Sequence, residues 1–121
     1  MPSDGKWVFN RDHALAKKTW DKIGHAKIPV ILTGRHIFAL GGQDAGLTYT
    51  GEGTIMDTSL MSFYFNPRTL AHELGHYAGY VGDAPGHHSS HKDNIMYPGD
   101  GVKNALNPDD EYCTKVLLLA K

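Results

Sequence analysis

Apolar positions first recur at helical spacing between Asp12 and Ile23, where Ala16, Trp20 and Ile23 share a face. Asp12 is placed to cap the start and Gly24 to end it, so the pattern predicts a first helix over 12–23. After Pro29 the period changes. "VILT" (30–33) is short and rich in β-branched residues and predicts a buried strand. "RHIFAL" (35–40) predicts another, closed by a Gly41-Gly42 turn, and "GLTYT" (46–50), "GTIMDTS" (53–59) and "SFYF" (62–65) continue the run of strands, punctuated by Gly51 and Gly53.

Helical signals return at Asn66-Pro67, an N-cap followed by a residue whose missing N–H costs nothing at the first helical position. They predict a helix over "PRTLAHELGHYAG" (67–79). Asn107-Pro108 repeats the signal ahead of "DDEYCTKVLLLAK" (109–121), whose early acids and later lysines suit the helix dipole. Between the two helices, 82–106 is glycine-rich and aperiodic, and predicts a long irregular loop of the kind that usually carries function. With neither repeats nor linkers, 1–121 reads as a single α+β domain: an N-terminal helix, a small mixed sheet, a second helix, a loop and a C-terminal helix.

Composition narrows the classes. An apolar content of 40%, a charged content of 21% and a net charge of −1 argue against disorder and against a basic nucleic-acid surface. No apolar run reaches the length of a membrane span, and the opening "MPSDGKWVFNRDH" lacks the apolar core of a secretory signal, so the expectation is a soluble monomer without nucleic-acid or membrane partners, its compartment left open. Cys113 stands alone, which rules out an intramolecular disulfide.

Five of the eight histidines fall within 72–98. His72-Glu73-Leu74-Gly75-His76 is an HExxH segment on a predicted helix, and at about 100° per residue its two imidazoles lie about 40° apart, able to grip one ion. Leu70, Leu74, Tyr77 and Val81 fall on the far side of the wheel, predicting that the helix buries its leucine side and presents its histidines on the other. Glu73 lies about 100° from His72, beside the ligand face rather than on it. That position suits a general base for a water whose pKa the metal has lowered, which predicts metal-assisted hydrolysis.

These residues resemble the metzincin clan of zinc metallopeptidases. Its pattern, HExxHxxGxx followed by His or Asp, is matched at His72, Glu73, His76 and Gly79, and "NIMYP" with Met96 is similar to the clan's Met-turn. The resemblance covers about 66–120 and implies a minimal zincin-like fold, a Zn2+ ion, Glu73 as catalytic base, Met96 as floor of the site, and a protein or peptide substrate laid along an edge strand, for which "IFALGG" (37–42) and "GLTYT" (46–50) are candidates. The match departs from the clan at Gly82, where the third ligand would stand. In the matrix metalloproteinase branch the methionine follows that ligand by eight residues, the spacing from His88 to Met96 here. The resemblance therefore implies His72, His76 and His88 as metal ligands, with Asp83, His87 and His91 as alternatives for the third, Asp83 also able to orient a ligand from outside. Tyr97 receives no catalytic role. Asp109 and Asp110 read as a solvated helix start, with a tie from one of them back to the loop as the alternative, and His13, His25 and His36 as solvent-facing. Two other readings remain: a gluzincin-like peptidase using Glu111, and a non-catalytic zinc module closed by four side chains.

Overall fold

The computed structural model describes residues 4–23, 27–39, 42–57, 67–98 and 107–120. In order these form β1 (Lys6–Val8), α1 (His13–Ile23), β2 (Val30–Thr33), β3 (His36–Ala39), β4 (Gly42–Asp44), β5 (Gly46–Tyr49), β6 (Gly53–Asp57), α2 (Pro67–Tyr77) and α3 (Asp110–Leu119). The α+β class holds. The strands make two three-stranded sheets, ordered β1-β3-β4 and β2-β6-β5, each with one parallel pair (β1 with β3, β2 with β6) and one antiparallel pair.

Both sheets and α1 share one core. Ala16 and Trp20, a turn apart on α1, meet Trp7, Ile31, Ile37, Leu47, Tyr49 and Ile55 from five strands. A second cluster of Tyr80, Ile95, Met96 and Tyr112 joins the loop after α2 to α3.

Several sequence expectations need correction. β2 is not a buried strand: Leu32 is 65% exposed, because its side chain alternates away from the face that packs on α1. Gly42 opens a strand, where a turn was expected, and β1 was not foreseen; three residues apiece leave no period to read. β3 lies in the middle of its sheet, so "IFALGG" does not supply an edge through β3, whereas β4 and β5 are edges. α3 starts at Asp110, its cap being Asp109, whose carboxylate accepts from Tyr112 N at 2.8 Å, two residues beyond Asn107. Asp109 takes the alternative reading over the solvated one, since the same side chain accepts hydrogen bonds from the Tyr80 hydroxyl and from Asn94 Nδ2, tying α3 to the loop. The "SFYF" strand, the Asn66 cap and His25 lie outside the described residues.

The orientation of α2 is also corrected. Leu70 and Val81 are 44% and 53% exposed, while Glu73, Gly75 and Arg68 are buried. The helix packs through its smallest residue: a Cβ on Gly75 would lie 2.4 Å from Met96 Sδ and 2.8 Å from Tyr112 Cε2. Gly75→Ala therefore tests packing against propensity. Helix propensity alone favours alanine by about 1 kcal/mol, whereas overpacking costs about 1 to 3 kcal/mol. Urea denaturation of the metal-free variant is expected to show a net loss of about 1 kcal/mol; a gain would mean that α2 does not sit this tightly on Met96.

Candidate metal centre

α2 presents His72 and His76 one turn apart, with ring centroids 4.8 Å apart and Nε2 atoms 3.2 Å apart. The His72 ring is held from behind, Nδ1 lying 2.8 Å from the Ile95 carbonyl. A carbonyl can only accept, so the proton sits on Nδ1 and Nε2 keeps its lone pair for the common point. The helix ends in a Schellman arrangement: Gly79 N–H donates to His76 O and Tyr80 N–H to Gly75 O, with Gly79 at φ +90°. This reverses the chain directly behind the second histidine.

The loop then turns back over the helix. Glu111, reaching up from α3, accepts from the N–H groups of Val81 and Gly82 at 2.8 and 2.9 Å. Residues 84–88 close on themselves, with Asp83 and Ala84 N–H both donating to His88 O and His88 N–H returning to Ala84 O. Gly82 makes that closure possible. Its φ is +68°, and a Cβ there would lie 2.1 Å from the His88 carbonyl oxygen, a backbone atom with no room to retreat. The glycine that cannot be a ligand thus lets the turn that bears His88 approach.

That turn carries His88 onto the helix face. Its ring lies 5.2 Å from His72 and 4.9 Å from His76, and its Nδ1 is 3.0 Å from the Pro85 carbonyl, the same tautomer-fixing contact that His72 makes. One ligand nitrogen from each of His72, His76 and His88 lies within 4.8 Å of the others, so the three could hold a metal ion. Imidazole donors suit first-row transition ions rather than calcium or magnesium. Burial, first, and the neighbouring histidines push His72 down to about 4 and His76 to about 3, leaving both neutral and able to ligate at ordinary pH. No protein-family model, curated protein or solved structure matches the chain.

Glu73 is 7% exposed and stands outside the ligand group. Burial raises its carboxyl to about 7, against the Thr48 hydroxyl, which hydrogen-bonds Oε2 and lowers it. Thr48 is itself 2.9 Å from the Thr54 hydroxyl, so a short polar chain runs from the carboxylate into the sheet. The Met96 turn is clamped to α2. Arg68 Nη2 donates to the carbonyls of Asn94 and Tyr97, and Asn94 Oδ1 accepts from Met96 N–H.

The remaining candidates go elsewhere. Asp83 accepts from Ser90 N–H and Oγ at 2.9 and 2.8 Å, and braces the loop without touching a histidine side chain. His87 (φ +61°) and His91 are exposed and outside the ligand group. Glu111 is committed to the loop N–H groups and Lys115. His36 is exposed, its Nδ1 3.4 Å from Asp57, but His13 is not simply solvent-facing: it stacks on Tyr49 and bonds Glu52 at 2.9 Å. Sequence reasoning missed Arg68 and Thr48. Arg68 stands four residues before His72, a helical spacing that could have flagged it; Thr48, on a strand, carries no motif.

Proposed function

We propose that this chain is a zinc-dependent metalloendopeptidase of metzincin-like build, hydrolysing peptide bonds in protein or peptide substrates. The observation that carries the reading is the convergence of His72, His76 and His88 with a buried carboxylate, Glu73, adjacent but outside the ligand set. When bound, zinc supplies Lewis-acid chemistry, polarising the scissile carbonyl and acidifying water. The protein does the rest. Backbone carbonyls behind His72 and His88 hold their Nε2 atoms toward one point, and the Thr48 hydroxyl fixes the Glu73 side chain. Glu73 takes a proton from the attacking water and returns it to the leaving amine, a task matched to a carboxyl raised to about 7. Met96, fully buried against Gly75, supports the helix under the second ligand.

The other readings have less support. Glu111 is spent on the loop, and among the described residues no further His, Cys, Asp or Glu joins the three histidines to close a structural site. The test is metal removal. Protein stripped with a chelator is expected to cleave unfolded casein not at all, and one equivalent of zinc to restore cleavage; undiminished cleavage by the stripped protein, or none by the reloaded protein, overturns the assignment.

A further inference from the structure

A carboxylate that the proposed reaction does not use stands close to the buried acid of the same site. Asp44 ends the edge strand β4, paired with Ile37 of β3. Two residues later Gly46 opens β5, pressed so close to Glu73 that a Cβ on it would lie 2.9 Å from Glu73 Cγ. Two residues of extended chain span about 7 Å at most, which confines Asp44 to the neighbourhood of Glu73. Its charge is felt at Glu73, and the charge of His88 acts on Asp44 in turn. Yet its oxygens do not belong to the ligand group formed by the histidines. Asp44 is near enough to act on what binds at the centre, and it is not placed as a ligand.

Its surroundings leave the carboxylate without a hydrogen-bonded partner among the described residues. Asp44 is half-buried, and no ion pair among the described residues takes it. A partly desolvated carboxylate without a partner is unfavourable, and an entering cation relieves that cost. A neutral side chain gains nothing there, and an acidic one meets like charge from Asp44 and, once ionised, from Glu73.

We propose that Asp44 is a specificity residue, selecting substrates that carry a lysine or arginine side chain beside the bond held at His72, His76 and His88. The inference rests on the metallopeptidase reading, and binding separates the two. The probes are Nα-acetyl-lysine hydroxamate and Nα-acetyl-norleucine hydroxamate, which share a zinc-chelating head and differ in one distal charge. Calorimetry on zinc-loaded wild type is expected to show the lysine compound binding about tenfold more tightly, as a part-buried charge pair allows. In Asp44→Asn and Asp44→Ser the ratio is expected to fall to about one through weaker lysine-compound binding, with norleucine-compound affinity and zinc content unchanged. Equal binding of both compounds to wild type, or a ratio that survives both substitutions, overturns the role of Asp44 and leaves the metal reading standing. Loss of zinc on substitution makes Asp44 a ligand and overturns it too. If neither hydroxamate binds, both readings fall.

Discussion

Glu73→Gln is expected to keep its zinc and lose casein cleavage by a factor of about 10² to 10⁴, the range supplied by a positioned general base. Glutamine preserves shape and can still accept from Thr48, so the Thr48–Thr54 hydroxyl chain survives. It cannot take a proton. Because Glu73 stands outside the ligand group, the zinc dissociation constant should change by less than about threefold. Cleavage by Glu73→Gln at the wild-type rate would remove Glu73 from the mechanism; loss of zinc would make it a ligand.

The same substitution has a separate signature in the metal-free protein. The Glu73 carboxyl is raised from 4.5 to about 7 by burial, so the folded state holds a proton that the unfolded state has released. Its ionisation therefore opposes folding: the protein loses stability as pH rises from 4.5 through 7, by up to about 3 kcal/mol at pH 8. Glu73→Gln should recover that amount at pH 8 and almost nothing at pH 4. His72 and His76 act in the opposite window, their lowered values costing stability as pH falls below 6.5. Urea midpoints in chelator at pH 8 and pH 4 check the difference, and a variant no more stable than wild type at pH 8 would place Glu73 in a wetter site than its 7% exposure indicates.

What was legible in the sequence follows from where its information lies. The three helices announce themselves through caps and periodicity that act within a few residues, and α1, α2 and α3 lie within about three residues of their expected bounds. The pairing of His72 with His76 needs only helical geometry. The inward face of α2 was misread because a hydrophobic wheel weighs side chains, whereas here the tightest contact is made by Gly75, which has none, and the buried acid is Glu73. That contact depends on Met96 and Tyr112, twenty or more residues away, and no local pattern announces it. Thr48 is invisible for a related reason: its contact with Glu73 comes from the fold bringing β5 against α2, not from any neighbour in sequence. The loop lies between these cases. Spacing to Met96 singled out His88 from its neighbours, but the device that brings its ring to the helix, a five-residue closure over Gly82, is a matter of backbone hydrogen bonds and positive φ.

His88→Ala and Asp83→Ala separate a ligand from a brace. His88 brings a ligand nitrogen into the group of three, and removing it leaves two imidazoles on one helix, a pair with little to distinguish it from a surface site. Zinc affinity, measured by competition with a chromophoric chelator, is expected to fall by on the order of 10³-fold, beyond the 10- to 100-fold typical of outer partners. Asp83 acts only through the loop. Its carboxylate, held below the usual range by Ser90 N–H and Oγ, is exposed, and its backbone contact with the His88 carbonyl survives truncation of the side chain. Asp83→Ala should therefore cost about tenfold at most, through a loosened loop and a less frequently placed His88. His87→Ala and His91→Ala, whose exposed rings stand outside the group, should leave affinity unchanged. The reverse order, with Asp83→Ala the more damaging, would transfer the third position to Asp83 and require the turn at 84–88 to swing its histidine away from the helix.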